Sequence, residues 1–322
     1  MAAPKTILVG TAGQGVMRTA DGGESWQRIS IDQGLHSDAM VRALASDPSR
    51  PAQVLAGTDR GLYKTEDAGA HWQHVDCAIG HDAVWSLARD PAEPRHMLAG
   101  TGTSQPAGVF GSEDGGQTWH ACQADFAPDC PAVGVPRVTG LAIGRDGTAW
   151  ASVEVDGQRV SQDGGETWER VDSKQIPNPD GHNAAVVGDA AMILVNNDVY
   201  ISRDRGESWQ PAHAEETFGM RYCRGVAVKP GTETVFVAVG DSTPGRTGAI
   251  VRSQDAGRSW EKLPLPQEPN SAMWVVNVQP WDTDVVLAGS RYGYLYQSTD
   301  GGDSWEKLWR EVSEVGSITW CP

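Results

Sequence analysis

Short apolar segments alternate with turn residues along the chain, and apolar stripes of helical period are absent. Residues 41–76 contain four such segments, with Asp47-Pro48 and Asp59-Arg60-Gly61 at two of the turns between them. Short segments separated by turn residues at regular spacing predict antiparallel β-strands. The same order of segments recurs to the end of the chain, so the sequence predicts a repeated unit of four strands.

Each unit contains an eight-residue stretch that occurs seven times in the chain. Its fullest form is Ser-Gln-Asp-Gly-Gly-Glu-Thr-Trp at residues 161–168, and every copy has Ser or Thr first, Asp third, Gly fifth and Trp eighth. A period of a little under fifty residues indicates a solenoid or a propeller. The seven aspartates are Asp21, Asp67, Asp114, Asp163, Asp204, Asp255 and Asp300.

The residue types in this stretch are those of a tight turn. An Asp carboxylate accepts hydrogen bonds from nearby backbone N–H groups, and Gly adopts a positive φ without steric cost. The leading Ser or Thr is expected to close one strand, and the Trp to begin the next. We interpret the aspartates as structural; the alternative is contact with a substrate or Ca²⁺, but seven separate turns cannot converge on one ligand.

The two ends of the chain predict how the repeats close. Residues 6–10 have the pattern of a second strand, and residues 317–322 have the pattern of a first strand. The sequence therefore predicts an all-β fold: a seven-bladed β-propeller of four-stranded antiparallel blades, filling residues 1–322 as a single domain. The C-terminal strand is expected to join the N-terminal blade and so close the ring.

The eight-residue stretch resembles the Asp-box, or BNR, repeat of sialidases, sortilin-type receptors, xyloglucanases and the photosystem II assembly factor. The resemblance covers the whole chain and implies the propeller fold, but these relatives differ in function. It also implies that first strands line the central channel, that ligands bind at its mouth, and that the Asp boxes lie on the opposite, outer rim. Sialidases have six blades and an Arg-Ile-Pro motif, whereas this chain has seven boxes and no such motif.

Alignment of the first strands identifies one repeated position that should face the channel. It is occupied in turn by Arg42, Trp85, Thr139, Ala184, Arg224, Trp274 and Gly316. Arg offers a planar fork of donors to a carboxylate or phosphate, and Trp offers a flat face to a sugar. Packing and salt bridges are the alternative reading. Nearby, Arg221, Tyr222 and Arg291 are further candidate ligand-binding residues.

Three histidines precede first strands of different blades and form a candidate metal site. They are His36, His81 and His182, each followed closely by Asp or Asn. Three His ligands with an open position can hold a catalytic divalent metal. The alternative is that these residues cap the turns into the strands. No other cofactor is predicted.

The composition of the chain argues against some classes of binding partner and indicates where in the cell the protein is expected. A net charge of −16 argues against binding to nucleic acid or to anionic membranes. We expect no signal peptide and no membrane span, and we expect a cytoplasmic protein. Five Cys without a CxxC spacing predict no disulfide framework, although Cys122 and Cys130 could pair under oxidation.

Two functions follow from these features. The first is a propeller that binds a small anionic or sugar-like ligand, a glycan or a protein partner at the channel mouth. The second is a hydrolase or lyase at the same mouth, glycosidase-like and metal-assisted if the three histidines hold an ion, with Asp38 and Asp82 as the nearest pair of carboxylates. The first is favoured because no nucleophile and base can be paired from the sequence.

Overall fold

Seven four-stranded antiparallel sheets form a ring in the computed structural model, which describes residues 6–103 and 106–322. The first strand of each sheet contacts the first strands of both neighbouring sheets, so the ring is complete. The predicted seven-bladed propeller is therefore confirmed. We number the blades from the one that holds the N-terminal strand.

Each blade runs from an inner strand at the channel to an outer strand at the rim. The inner strands of blades 1 to 7 are Val315–Cys321, Val41–Asp47, Val84–Arg89, Arg137–Ile143, Gly181–Val187, Tyr222–Val228 and Met273–Gln279. The second strands are Thr6–Thr11, Arg50–Thr58, Met97–Thr101, Ala149–Glu154, Ala190–Val195, Val235–Gly240 and Asp282–Ser290. The third strands are Val16–Thr19, Gly61–Thr65, Val109–Ser112, Gly157–Ser161, Asp198–Ser202, Gly248–Ser253 and Leu295–Ser298. The outer strands are Gln27–Arg28, Gln73–His74, His120–Ala121, Glu169–Arg170, Gln210–Pro211, Glu261–Lys262 and Glu306–Lys307.

Blade 1 combines both ends of the chain, as predicted. The inner strand Val315–Cys321 pairs antiparallel with Thr6–Thr11, with Ile7 opposite Trp320. Thr319 in this strand also contacts both neighbouring blades: its Oγ1 lies 2.8 Å from Ser46 Oγ and accepts a hydrogen bond of 2.8 Å from Gln279 Nε2. The closing strand is thus tied to blades 2 and 7 as well as to its own sheet.

The hydrophobic core is divided among the seven interfaces between adjacent blades. Among the described residues, seven clusters of buried apolar side chains each draw on two neighbouring blades. The cluster between blades 1 and 2 includes Leu8, Val54 and the box residue Trp72. Burying one such aliphatic side chain contributes about 1.5–3 kcal/mol. Every blade therefore depends on both neighbours for its stability.

The Asp box is a turn closed by its own side chains. In blade 4, Asp163 Oδ1 accepts hydrogen bonds from Ser161 Oγ at 2.7 Å and from the Thr167 backbone N–H at 2.9 Å. Gly165 has φ 103°, and its carbonyl accepts a hydrogen bond from Trp168 Nε1. In every blade the leading Ser or Thr ends the third strand, as predicted, but the Trp lies immediately before the outer strand and does not begin it.

Helices and disulfides contribute little to the fold. Within the described ranges the helical segments are a 3-10 turn at Ile31–Gln33 and a short α-helix at Ala214–Phe218. No helix in that part of the chain is long and apolar enough to cross a membrane. All five cysteines are free thiols, so Cys122 and Cys130 are not paired.

A β-bulge interrupts the inner strand of every blade at the same place. One inner-strand residue is left without a ladder partner there, and the seven are Arg42, Trp85, Thr139, His182, Arg224, Trp274 and Gly316. Six of them are the residues predicted to share a channel position. In blade 5 the prediction of Ala184 is wrong, because Ala184 pairs with Ile193 in the ladder and belongs to the core between blades 4 and 5.

Candidate ligand-binding site at the channel mouth

A cavity of about 520 Å³ occupies the end of the channel where the inner strands begin. All seven bulge residues except Gly316 bring side chains to its wall, and the backbone of Gly316 completes the circle. Ligand pockets in proteins commonly measure about 300–1,000 Å³, so the cavity has the size of a small-molecule site.

A second ring of side chains lies two residues before the bulges. Side chains two positions apart on a strand point to the same face of the sheet. Four residues of this second ring line the cavity, and they are Arg137, Asp180, Tyr222 and Glu314. Of these only Tyr222 was predicted from the sequence. Stepping back two positions from the aligned residues Thr139 and Gly316 reaches Arg137 and Glu314, but the same step from Ala184 reaches His182 and misses Asp180.

The first cluster in the cavity consists of Arg42, Trp85 and Arg137, from blades 2, 3 and 4. The guanidinium carbon of Arg42 lies 3.5 Å from the Trp85 ring centre, and that of Arg137 lies 4.9 Å from it. Trp85 is only 9% exposed, and its Nε1 donates a 2.9 Å hydrogen bond to Thr103 Oγ1. The ring is thus fixed beneath two cations, an arrangement that its π-electrons stabilise.

The second cluster consists of Arg224, Trp274 and Arg291, from blades 6 and 7. The guanidinium carbons of Arg224 and Arg291 lie 4.7 Å and 4.2 Å from the Trp274 ring centre. Tyr222 stacks on Trp274 with ring centres 5.8 Å apart and planes inclined by 20°. In a ring of seven blades, this cluster lies across the channel from the first.

The four arginines differ in their ion pairing. Arg137 Nε lies 2.7 Å from Glu154 Oε2, and Arg291 Nη2 lies 3.0 Å from Glu314 Oε2. Arg42 and Arg224 have no carboxylate within 4.0 Å among the residues that the structure describes. Arg42 Nη2 donates to Met40 Sδ at 3.3 Å, and its buried Nε has no hydrogen-bond partner in the described part of the chain.

Burial and charge shift the ionisation of these groups. Desolvation lowers the pKa of Arg42 to about 10 against the opposing charge of Asp59, and the charges of Arg137 and Arg224 lower it as well. Arg42 nevertheless stays cationic at neutral pH. Burial raises the pKa of Glu154, against the opposing effect of Arg137. The lining contains four arginines and three carboxylates, so the cavity is basic inside a strongly acidic protein.

Some residues predicted for the site lie elsewhere. Arg221 is exposed, donates from Nε to the Asp241 carbonyl at 3.3 Å, and does not line the cavity. Asp38 pairs with Arg60 at 2.8 Å, and neither Asp38 nor Asp82 reaches the cavity wall. Tyr222 and Arg291, by contrast, both line it.

The predicted three-histidine metal site is not formed. Residues 6–103 and 106–322 hold no group of three His, Cys, Asp or Glu able to bind a metal ion. His182 is a buried bulge residue whose Nδ1 donates to the Cys223 carbonyl at 2.7 Å, and burial lowers its pKa to about 3. His36 is exposed, and His81 is exposed and stacked on His74. The prediction was wrong because only His182 occupies a bulge, whereas His36 and His81 lie in the loops before the inner strands.

Comparison with known proteins identifies the repeat and the fold. The BNR/Asp-box repeat profile matches residues 159–170, and the profile of the sortilin and neurotensin receptor 3 family, Sortilin-Vps10, matches residues 197–320. No curated protein matches the chain in sequence.

Solved structures with the same fold include "YCF48 bound to D1 peptide", at 17% identity and a TM-score of 0.58 over 94% of this chain and 91% of that one. The computationally designed protein Ika8 is similar at 12% identity and a TM-score of 0.62 over 100% of this chain and 89% of that one. For YCF48 and Ika8 the likeness at these identities extends to the fold alone. An ancestral GH74 enzyme matches at 16% identity and a TM-score of 0.47 over 99% of this chain and 37% of that one.

Proposed function

Since the chain is a seven-bladed propeller of Asp-box repeats, we propose that it binds a small anionic ligand in the cavity at the channel mouth. The observation that carries this proposal is that Arg42 and Arg224 line the cavity without a carboxylate partner among the described residues. A guanidinium donates two parallel hydrogen bonds to a carboxylate or phosphate, with geometry that an ammonium lacks. A low-dielectric cavity strengthens such contacts.

The geometry favours an anion over a sugar that stacks on tryptophan. Arg42 and Arg137 lie over Trp85, which is almost fully buried. Trp274 carries Arg224, Arg291 and the ring of Tyr222. A sugar would have to displace these groups to reach either ring face, whereas an anion would bind the guanidinium groups directly.

A protein partner remains compatible with the same chemistry. The solved YCF48 structure contains a D1 peptide, so a propeller similar to this one does bind a peptide. In this chain a peptide would have to present a carboxylate to Arg42 or Arg224. An acidic peptide therefore belongs in the ligand panel beside small carboxylates and phosphate.

Isothermal titration calorimetry against such a panel tests the proposal. We expect Arg42→Gln and Arg224→Gln each to weaken anion binding about tenfold or more, since a hydrogen bond to a charged group contributes about 1.5–3 kcal/mol. Arg221→Gln is the matched control, because Arg221 is exposed and outside the cavity, and it should bind like the unchanged protein. Equal affinity in all variants, or no saturable binding at millimolar ligand, would contradict the proposal.

A glycosidase-like hydrolase or lyase in the same cavity is the second candidate. Glu154 favours it, because burial raises the pKa of this carboxyl and a second carboxyl, Asp180, lines the same cavity. A general acid in glycoside hydrolysis needs such a raised pKa beside a second carboxylate. Turnover of aryl glycosides or uronides, abolished in Glu154→Gln and retained in Arg221→Gln, would support this candidate; absence of turnover would remove it.

A further inference from the structure

The cavity contains two equivalent cationic clusters on opposite walls. The first, Arg42, Trp85 and Arg137, comes from blades 2 to 4, and the second, Arg224, Trp274 and Arg291, comes from blades 6 and 7. Blades 2 and 6 are three positions apart by the shorter way round a ring of seven. The bulges in their inner strands place Arg42 and Arg224 at the same height in the channel.

The two clusters match in composition, although Arg137 begins an inner strand and Arg291 follows a second strand. Each has one Trp and two Arg, of which one is paired with a glutamate and one is unpaired among the described residues. In the first cluster Glu154 holds Arg137, and in the second Glu314 holds Arg291. Each wall therefore offers one guanidinium with unfilled donors, Arg42 on one side and Arg224 on the other.

The two unpaired guanidinium groups also act on each other. Burial is the main cause that lowers the pKa of Arg42, Asp59 opposes it, and the charges of Arg137 and Arg224 lower this pKa further. Both groups line the same cavity of about 520 Å³ at the same height in the channel, so one small ligand that fills the cavity can contact both. A ligand with a single anionic group would neutralise one guanidinium and leave the other, half-buried, without a carboxylate partner among the described residues.

We propose that the ligand carries two anionic groups, one bound at Arg42 and the other at Arg224, as in a short dicarboxylate. This inference rests on the proposed function and specifies its ligand class. The tryptophans hold the two guanidinium groups in place before the ligand arrives, so little side-chain entropy is lost on binding. Glu154 forms an ion pair with Arg137, and Glu314 forms one with Arg291. The cations available to the ligand are therefore Arg42 and Arg224.

A series of matched ligands tests this inference in the protein of residues 1–322. Calorimetry compares malonate, succinate, glutarate and adipate with their monoamides, which keep the size and shape of the diacid but lose one charge. A bisphosphate of similar length distinguishes a phosphate ligand from a carboxylate ligand. We expect the best dianion to bind about tenfold or more tightly than its monoamide, because each end forms charge-assisted hydrogen bonds.

The arginine variants then test whether each of the two anionic groups of the ligand binds one of the two arginines. In Arg42→Gln and in Arg224→Gln the dianion should bind no more tightly than its monoamide, while the monoamide should retain its affinity in at least one of them. Equal affinity of dianion and monoamide in the unchanged protein, with binding still lost in the arginine variants, would overturn the two-anion proposal and leave single-anion binding standing. Failure of every anion to bind would overturn both. If circular dichroism shows that a variant does not fold, the comparison of dianion with monoamide in the unchanged protein still tests the two-anion proposal.

Discussion

The guanidinium carbon of Arg42 lies 3.5 Å from the ring centre of Trp85, although the two residues belong to neighbouring blades. Both are bulge residues, so neither has a ladder partner that restrains it. The Trp85 ring is itself fixed by its hydrogen bond to Thr103. The position of the Arg42 donors in the cavity therefore depends on an aromatic ring supplied by the next blade.

The first prediction concerns this contact. Trp85→Leu removes a cation–π interaction worth about 0.5–2 kcal/mol and should weaken anion binding about 2- to 30-fold by calorimetry. Trp85→Phe keeps an aromatic face and should stay closer to the unchanged protein. If the leucine variant binds as tightly as the phenylalanine variant, the ring does not position Arg42.

The second prediction is a gain of affinity. Glu154→Gln removes a negative charge that lies 2.7 Å from Arg137 Nε and leaves that guanidinium free to donate to a ligand. We expect anions to bind more tightly at neutral pH in this variant. Glu154→Asp keeps the charge and serves as the control. Weaker binding in Glu154→Gln would show that Glu154 helps to hold the ligand and does not compete with it.

The third prediction concerns stability in acid. Hydrogen bonds from Thr167, Ser259 and Ser304 lower the pKa of Asp163, Asp255 and Asp300 from 3.8 to about 2. A carboxyl group with a lowered pKa in the folded state stabilises the protein above its unfolded pKa. This stabilisation is lost as pH falls from about 4 towards 2.

Urea unfolding at a series of pH values measures this loss. The midpoint should fall steeply below pH 4, and less steeply in Asp163→Asn, which cannot titrate there. Asp189→Asn, in an exposed turn outside the boxes, should leave the slope unchanged. A slope that is the same in both variants would mean that the box aspartates do not contribute to acid unfolding.

The fourth prediction concerns ring closure. Deleting residues 318–322 removes most of the inner strand of blade 1 and leaves residues 6–9 of the second strand as an unpaired edge. We expect this protein to unfold or aggregate, because an exposed edge strand pairs with other chains. Deleting only Pro322, which is exposed, should have little effect. Size-exclusion chromatography and circular dichroism check both variants; a monomeric, folded deletion would contradict the role of this strand.

The sequence predicted the fold more accurately than the residues that line the cavity at the channel mouth. Blade number and ring closure could be predicted because each box turn needs the same Asp, Gly and Trp, and because residues 317–322 have the pattern of an inner strand. The cavity-lining residues were harder to predict, because a β-bulge adds one residue to a strand and no sequence motif shows where it does so. A proline follows the inner strand in blades 1, 2, 3, 6 and 7 but not in blades 4 and 5, and the alignment found the bulge position in blade 4 but failed in blade 5.

The same difficulty explains the incorrect metal site and the missed arginine. His36, His81 and His182 have similar neighbours in sequence but stand at different distances from their bulges, so only His182 lies at the channel. Arg137 was missed because its position, two residues before a bulge, holds Met40 in blade 2 and Ala83 in blade 3. A shared position is visible in sequence only when several repeats carry similar residues there.

The residues at the seven bulges line the proposed ligand-binding cavity but take no part in the hydrogen-bonded ladders that hold each blade together. A bulge residue takes no part in the backbone ladder, so its identity can change while the strands stay in register. Six of these places can be substituted one at a time around the common cavity, whereas a side chain at Gly316 would collide with the backbone oxygen of Val41. New ligand specificities on this scaffold should therefore be obtainable from substitutions at the other six places, with the rest of the molecule left as it is.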